Sequence, residues 1–314
     1  MRTAGKLTSA LILILAITAI DASAADQKFR ITILSSRPDM VSGGDALVQI
    51  DAPPNLPAKQ ISIQLNGRDV AAAFRSDPTA HTWTGLVTEL RPGENTLQVS
   101  DRKARDSAET LTLQNHQASG PIFSGPQEHP FICQTQDFQL PDGRLLGPAL
   151  DAECSIKMVV TYVYKSTSPA SAPTSATVAP GAPPASMNLK PLPSLTQLPN
   201  DVAWTTTTMG AKVAYVVRVE TGTLNRAIYE FAVLSDPTKE AHPDPFAPPE
   251  NWNRRLLYTF GGGCPGGWFK QGLAIGMDGV ISDAIVGKGY AEASATLNVF
   301  GNNCNDVLAA ETIW

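Results

Sequence analysis

The chain has 314 residues, of which 43% are hydrophobic and 17% are charged. This length and composition are typical of a globular protein of about two domains. The formal net charge is -5, and no stripe of lysine and arginine is available to neutralise phosphates. The balance of charge therefore argues against a nucleic-acid-binding protein.

The first 24 residues have the architecture of a secretory signal peptide. Arg2 and Lys6 form a basic start, Leu11–Ile20 is an apolar run, and Ala22–Ala24 supplies small residues for cleavage. A membrane anchor is the alternative, but Asp21 ends the apolar run well short of the roughly 20 residues that span a bilayer. We expect a secreted or periplasmic protein with no membrane span after cleavage near Ala24. Removal of two positive charges and one negative charge takes the net charge from -5 to -6.

Four cysteines, an even number, favour disulfides in an exported protein. Sequence order suggests the pairs Cys133–Cys154 and Cys264–Cys304, although four cysteines allow three connectivities. A zinc site is the alternative, and the sequence offers no Cys-x-x-Cys pair to support it. We predict no metal and no cofactor.

The segment 29–117 reads as short strands with alternating apolar and polar residues, separated by Pro-Asp, Gly-Gly, Asn-Gly and Pro-Gly turns. This pattern predicts an immunoglobulin-like β-sandwich. The segment 118–165 is irregular, except for a strong strand at Lys157–Lys165. The segment 166–200 begins with a run rich in Pro, Ser, Thr and Ala, a composition that predicts a linker or a disordered surface loop.

The segment 201–314 begins with a predicted β-hairpin, formed by Ala211–Asn225 and Arg226–Asp236. A strand ending at a glycine-rich loop follows, and then a helix-like pattern over Gly272–Gly289. A second strand at Tyr290–Val299 and a helix opening at Asn305 complete the order. Strand, loop, helix, strand and helix in this order predict the start of a parallel α/β sheet.

The glycine-rich loop LLYTFGGGCPGGW, residues 256–268, has four interpretations. A phosphate-binding P-loop would need Gly-Lys-Ser or Gly-Lys-Thr, where this chain has Gly-Gly-Trp. Glycines 261, 263 and 266 fit a dinucleotide fingerprint with Asp283 as the acidic residue, but Cys-Pro inside the turn resists the helix that should follow. The third is an oxyanion loop, with the amides of Gly262, Gly263 and Cys264 as donors. The fourth is a turn that only connects two elements.

Several phrases of the sequence resemble a family of secreted bacterial proteins known only as a domain of unknown function (DUF 6351). They are LSSRPDMVSGGDALVQI, SGPIFSGPQEHPFIC, LLYTFGGGCPGGW and LNVFGNNCNDVLAAET. The resemblance covers nearly the whole chain after the leader, apart from the linker. It implies an α/β-hydrolase-like core broadly similar to tannase-type esterases. It also implies a nucleophilic serine in a Gly-x-Ser-Gly-Gly-like elbow downstream of the residues present here.

Two features depart from that pattern. No Gly-x-Ser-x-Gly occurs in the 314 residues, so the chain reads as a C-terminally truncated member. Glu292 lies within a predicted central strand, where apolar residues are expected. Three interpretations of Glu292 are open, ranked in this order: a side chain that faces the edge of the sheet, a substitution tolerated in a copy of the protein that has lost its function, and a functional acid.

Other reactive residues receive structural interpretations. None of the four histidines, His81, His116, His129 and His242, has a nucleophile in a recognisable elbow beside it, so we expect surface or turn roles. Asp278 and Asp283 are expected on a solvated face, and Cys264 in a disulfide rather than as a nucleophile. Trp268 and Phe269 are the candidates for a substrate pocket, with core packing as the alternative.

These observations lead to two functional hypotheses. The first is the N-terminal part of a secreted ester-cleaving α/β-hydrolase-like protein, inactive alone because it lacks the nucleophile elbow. Its complete form would act on a small-molecule or polymeric ester. The alternative is a non-catalytic secreted binding protein that uses the β-sandwich.

Overall fold

The structure is a computed structural model that describes residues 28–54, 56–104, 108–168, 187–240, 242–262, 269–275, 279–299 and 306–314. Within these ranges the chain is mostly β-sheet, with one α-helix and several short 3-10 turns. The predicted signal peptide lies outside the described residues. No helix in the described ranges is long and apolar enough to cross a membrane.

Nine strands form the first part of the chain, and they build two sheets. The strands are β1 (Arg30–Ile33), β2 (Val41–Ser42), β3 (Ala46–Asp51), β4 (Ile61–Leu65), β5 (Arg68–Asp69), β6 (Phe74–Asp77), β7 (Thr82–Val87), β8 (Gly93–Asp101) and β9 (Glu109–His116). One sheet has the order β1-β3-β7-β6 and the other β2-β9-β8-β4-β5. All pairs are antiparallel except the short β2–β9 pair.

The two sheets bury one shared apolar core, as the alternating sequence predicts. Val48 and Ile50 of β3 contribute from one sheet, and Ile63, Leu97 and Leu113 from the other. Successive residues of a strand point to opposite faces, so alternation places every second side chain in the core. Burial of each such side chain contributes about 1.5–3 kcal/mol relative to exposure. This core contains no disulfide within the described residues.

A third sheet, of six strands, contains strands from both sides of the predicted linker. Its strands are β10 (Val159–Lys165), β11 (Leu189–Pro191), β14 (Val216–Leu224), β15 (Ala227–Leu234), β16 (Leu256–Tyr258) and β17 (Ala291–Ala295), and a separate small pair is formed by β12 (Trp204–Thr206) and β13 (Lys212–Ala214). The order is β11-β10-β14-β15-β17-β16. The predicted hairpin is present as β14–β15, whose tight turn places Asn225 and Arg226 at positive φ.

The sheet differs from the predicted parallel α/β arrangement in its strand directions. Only β16 and β17 are parallel, whereas β17 pairs antiparallel with β15 on its other side. The sheet is therefore mixed. Because β14 and β15 form a long, uninterrupted hairpin, they set an antiparallel centre to which the parallel pair is added at one edge.

The helix predicted over Gly272–Gly289 is wrong for the described residues of that range, where only a 3-10 turn at Val286–Lys288 forms. Gly279 and Gly289 have φ values of 84° and 88°, a left-handed conformation that ends helices. The apolar residues Val280, Ile281 and Val286 still reach the core beneath the sheet. The apolar spacing that predicted a helix therefore reflects burial of these residues in the core, not helical structure.

The described ends of the predicted linker, residues 166–168 and 187–200, are part of the fold. Leu189–Pro191 forms β11 against β10, and Met187 is buried in the core beneath the sheet. Met187 and Leu189–Pro191 therefore pack against the sheet, next to the Pro/Ser/Ala-rich run on which the linker prediction rests. Residues 169–186 lie outside the described residues, and the domain bounds remain a prediction.

The predicted C-terminal helix is present as α1 (Asp306–Ile313); its expected N-cap, Asn305, lies outside the described residues. The carboxylate of Glu311 accepts hydrogen bonds from the backbone amides of Ile122, Phe123 and Ser124. The Thr312 hydroxyl accepts one from Asn225 Nδ2 at 3.0 Å. The helix is thus fastened to the irregular segment and to the β14–β15 turn.

A candidate site at the end of the parallel strand pair

The glycine-rich loop begins where β16 ends, at the edge of the sheet. Phe260 is 54% exposed, and the Gly261 amide donates to the Asn298 carbonyl oxygen at 3.1 Å. The Gly262 amide has no hydrogen-bond partner among the described residues, and a Cβ added there would meet nothing within 4 Å. No described residue therefore fills the space beside Gly262.

Asn298 holds this end of β16 in place from beneath. Its Oδ1 accepts a hydrogen bond from the Tyr258 hydroxyl at 2.5 Å, and its Nδ2 donates to the Ala309 carbonyl at 3.1 Å. The side chain is fully buried, so both contacts are shielded from water. Asn298 thereby links the start of the loop to α1, a role that its place in the sequence did not indicate.

A cavity of about 360 Å³ lies beside the start of the loop. Among the described residues, its walls include Thr259, Phe260, Ile281, Ser282 and Glu292. Strands β16 and β17 run parallel, and their C-terminal ends lie at the same edge of the sheet. Thr259 and Phe260 follow the end of β16, whereas Glu292 is the second residue of β17, so the cavity lies along the face of the pair and reaches the carboxyl end of β16.

Glu292 is the ionisable group that lines this cavity among the described residues. It is 3% exposed, and it accepts a hydrogen bond from Ser282 Oγ at 3.2 Å. Burial raises the pKa of Glu292 to about 7, although the Ser282 hydrogen bond acts in the opposite direction. An acid of this kind can hold a proton near neutral pH and release it.

The edge-facing interpretation of Glu292 is wrong, because β17 is flanked by β15 on one side and β16 on the other. Glu292 pairs in register with Ala232 of β15 and Leu257 of β16. Its side chain points to the face that contains the apolar core, because Ala232 belongs to that core. The cavity gives the carboxyl group an opening within this face.

Three further polar side chains lie behind Glu292. Lys165 Nζ forms an ion pair with Asp283 at 2.5 Å and lies 5.4 Å from the centre of the Tyr215 ring. Burial, followed by the charges of Asp283 and Glu292, raises the pKa of Tyr215. Tyr215 is therefore a neutral phenol, and the ion pair of Asp283 replaces the purely solvated role that we expected.

The predicted site residues are only partly within the described ranges. Gly262 follows two residues after Phe260, which lines the cavity, but does not itself line it. Gly263, Cys264, Trp268 and Asp278 lie outside the described residues, as does Cys304 of the second predicted disulfide. Phe269 is 46% exposed, does not line the cavity and is not in the core. The oxyanion and pocket assignments therefore stay predictions.

The first predicted disulfide, Cys133–Cys154, is present, with a Cα–Cα distance of 5.3 Å. It closes a loop in the irregular segment rather than near the cavity. None of the four histidines lines the cavity. His116 lies on β9, with Nε2 3.0 Å from the Asp39 carbonyl, and His81 occupies a turn at positive φ.

Two residues of the site were not found from the sequence. Ser282 lies in the segment predicted as a helix, and Tyr215 lies at the start of the hairpin. No motif marks either residue. Ser282 is identified by its hydrogen bond to Glu292, and Tyr215 by the effect of the nearby charges of Asp283 and Glu292 on its pKa. Glu292 itself was detectable as a charged residue within a strand pattern.

The architecture defines a β-rich protein with a mixed sheet and a glycine-rich loop at the end of a parallel strand. The family model described as a tannase-like family of unknown function (DUF6351) matches residues 31–314. The chain belongs to this family, as the sequence resemblance predicted. No curated protein matches the sequence. Within the described residues, no group of three or more His, Cys, Asp or Glu is placed to hold a metal ion.

Proposed function

We propose that this chain supplies the oxyanion-loop side of an ester-cleaving site of the α/β-hydrolase kind, in an exported protein. The observation that carries the proposal is the shared cavity of Phe260 and Glu292 at the end of the parallel β16–β17 pair. Membership of a tannase-like family supports it, because that description suggests an esterase-like activity on a small-molecule ester.

In this proposal the loop stabilises negative charge on the substrate oxygen. The Gly261 amide is already bonded to Asn298, so the donors to the oxyanion are the amides that follow, from Gly262 to Cys264. Backbone amides held in place before reaction need no rearrangement, and each is typically worth 10²–10³ in kcat. The rigid support of the loop start by Asn298 serves this pre-organisation.

Glu292 acts in this proposal as a proton carrier at the cavity rather than as the nucleophile. Its raised pKa keeps a fraction of the carboxyl groups protonated near neutral pH, so it can donate to a developing alkoxide or to a bound water. The proposal assigns no nucleophile and no base among the described residues. The 314 residues contain no Gly-x-Ser-x-Gly, and no histidine lines the cavity.

The first experiment measures hydrolysis of p-nitrophenyl acetate by the purified chain. We expect a rate equal to that of buffer and to that of the Cys264→Ser variant, because the chain holds no nucleophile elbow. Robust turnover, together with covalent labelling by a serine-directed phosphonate, would contradict this assignment.

The second experiment uses a longer product of the same reading frame that includes a Gly-x-Ser-x-Gly motif. Gly262→Pro removes one proposed donor and should lower kcat by about 10²–10³ with little change in KM. Gly262→Ala is the matched control, since alanine keeps the backbone N–H and a Cβ added at this position meets nothing within 4 Å among the described residues. An unchanged kcat in the Gly262→Pro variant would remove the oxyanion role.

A further inference from the structure

A second cavity, of about 380 Å³, lies between the two-sheet sandwich formed by β1–β9 and the face of the six-stranded sheet that carries Phe231 and Val233. Leu47 of β3 contributes from the sandwich, Phe231 and Val233 from β15, and Trp252 from the following loop. Its volume is within the range of about 300–1,000 Å³ that is usual for small-molecule sites.

This cavity is separate from the one at Glu292 because the two open on opposite faces of the sheet. Ala232 and Leu234 belong to the core face, and Glu292 pairs in register with Ala232. Phe231 and Val233 alternate with these residues and therefore point the other way. A ligand in one cavity cannot reach the other directly.

The walls are apolar, and their conformation is fixed by the chain itself. Four prolines between residues 243 and 249 line the cavity. The proline ring restricts the backbone angle φ to a narrow range, so this part of the wall is rigid. Trp252 is oriented by a hydrogen bond from Nε1 to the Arg255 carbonyl at 2.9 Å. Asp244 Oδ1 accepts from the amides of Phe246 and Ala247 at 2.7 and 2.8 Å, which closes the proline-rich turn. Such pre-organisation lowers the entropy cost of binding a ring.

Two arginines give the cavity a preference for anions. The side chain of Arg218 is 12% exposed, and its terminal nitrogens contact Glu220 Oε2 at the long distances of 3.4 and 3.3 Å. Its Nε is buried without a hydrogen-bond partner in the part of the chain that the structure describes. Because the Nε atom is fully enclosed, the terminal nitrogens, which hold Glu220 only at long distances, are the donors that Arg218 offers to a ligand.

Arg254 supplies the second guanidinium, 5.5 Å from the centre of the Trp252 ring. The acidic residue that lines the cavity is Asp244, and Arg75 lies against it at 3.8 Å while stacking on Phe246. Arg75 offsets the charge of Asp244 and Glu220 offsets that of Arg218, so among these named groups Arg254 leaves a net charge of about +1 at the cavity. Glu220, which faces Arg218, also accepts a hydrogen bond from the Tyr229 hydroxyl at 3.1 Å. The Glu220 carboxylate therefore keeps a hydrogen-bond donor if Arg218 turns toward a ligand.

We propose that this cavity binds a small aromatic carboxylate, with the ring between Trp252, Phe231 and the prolines and the carboxylate toward Arg218 and Arg254. The combination of a rigid apolar slot and charge-assisted donors suits a planar anion better than an aliphatic or a cationic group. This inference does not rest on the proposed ester-cleaving function. It concerns the opposite face of the sheet, and it includes binding of a ligand but no chemical reaction.

The test is isothermal titration calorimetry of the purified chain with three probes: benzoate, benzyl alcohol and acetate. We expect benzoate to bind with a Kd of about 0.1–1 mM, as ligand efficiency allows for nine non-hydrogen atoms. Benzyl alcohol has the ring without the charge and acetate the charge without the ring, so both should bind at least about tenfold more weakly. Absence of benzoate binding, or equal binding of benzyl alcohol, would overturn the proposal.

Variants then assign the binding to this cavity. Arg254→Gln changes an exposed residue and should weaken benzoate about three- to tenfold, while Arg218→Gln should weaken it by about tenfold or more. Arg144→Gln, which removes an exposed arginine of the irregular segment, should have no effect. Loss of affinity in this control, or unchanged affinity in Arg254→Gln, would place the ligand elsewhere and refute the site.

Asp244→Asn provides a change in the opposite direction. Asparagine keeps the oxygen that closes the turn and removes the negative charge, so benzoate should bind about twofold more tightly. Asp142→Asn is the matched control, because Asp142 also accepts a turn amide, that of Arg144, at 3.1 Å. Weaker binding in Asp244→Asn would contradict the assigned role of charge.

Discussion

Ser282 Oγ donates a hydrogen bond to Glu292 Oε2 at 3.2 Å, across the wall of a cavity at the end of the β16–β17 pair. The two residues are ten positions apart in the chain, and the intervening turn at Val286–Lys288 folds one back over the other. This contact is the one described hydrogen bond to the Glu292 carboxyl group. One hydrogen bond replaces the several that water would make with the carboxyl group, so burial still disfavours the charged form.

Glu292→Gln should make the stability of the protein less dependent on pH. Burial raises the pKa of Glu292 from 4.5 to about 7, so between these pH values the folded state keeps a proton that the unfolded state has lost. Stability therefore falls as pH rises through this window, by at most about 1.4 kcal/mol per pH unit. Denaturant unfolding at pH 5 and pH 8 should show the variant gaining most at pH 8.

The exposed residue Glu94 of β8 gives a matched control, because Glu94→Gln removes a carboxylate that no cavity encloses. Its effect should be within about 0.5 kcal/mol at both pH values. A larger gain for Glu292→Gln at pH 5 than at pH 8 would contradict the raised pKa.

Thr221→Val should raise the pKa of Glu230 further. Glu230 is buried on β15, burial raises its pKa to about 8, and the Thr221 hydroxyl opposes that rise by donating a hydrogen bond at 3.2 Å. Valine has the same shape without the hydroxyl, so the charged form loses its donor. Titration of the glutamate carboxyl carbons by NMR should show the midpoint moving upward.

Thr221→Ser retains the hydroxyl and serves as the control for this measurement. Its titration midpoint should stay close to that of the unchanged chain. A downward movement in Thr221→Val would show that the hydroxyl does not stabilise the charged carboxylate.

Glu311→Ala should detach the C-terminal helix from the irregular segment. The carboxylate accepts from three consecutive backbone amides, including that of Ser124 at 2.6 Å, and it is almost fully buried. Loss of a charged acceptor leaves these amides without a partner, at a cost of about 2–4 kcal/mol. Hydrogen exchange should show faster exchange at Ile122 and Ser124.

Val307→Ala, at an exposed position of the same helix, separates this contact from general loss of helix stability. It should change the free energy of unfolding by about 0.5 kcal/mol or less. Equal destabilisation by both variants would mean that the Glu311 contacts contribute nothing specific.

The double variant Cys133→Ala with Cys154→Ala should lower the free energy of unfolding by about 3 kcal/mol. The disulfide has a sequence separation of 21 residues, and closing a loop of that length restricts the unfolded chain by about this amount. Denaturant unfolding with and without reductant gives the comparison. A reductant effect that persists in the double variant would indicate a further disulfide, and its absence would exclude one.

The sequence by itself determined much of the local structure. The strands of the sandwich, the β14–β15 hairpin and the helix at Asp306–Ile313 could all be predicted, because alternation and turn residues act over a few positions. Several stretches of the sequence also identified the family to which the chain belongs. Sequence order suggested the Cys133–Cys154 pair. These are properties of neighbours in the chain.

Only the tertiary structure decided which distant elements share a sheet. The composition at residues 166–200 left a linker between domains and a surface loop as alternatives, and the structure shows that β10 and β14 on either side of it pair directly. Pairing depends on contacts between residues far apart in sequence, which no local pattern reports. The same limit explains the wrong helix over Gly272–Gly289, where burial beneath the sheet imitated helical spacing.

The candidate site shows the same division. A charged residue within a strand pattern marked Glu292 as unusual, and a run of glycines marked the loop beside it. The raised pKa, the cavity and the Ser282 contact exist only because folding removes the carboxyl group from water and brings a hydroxyl across the chain. Desolvation is a property of the packed structure, and the sequence alone does not specify it.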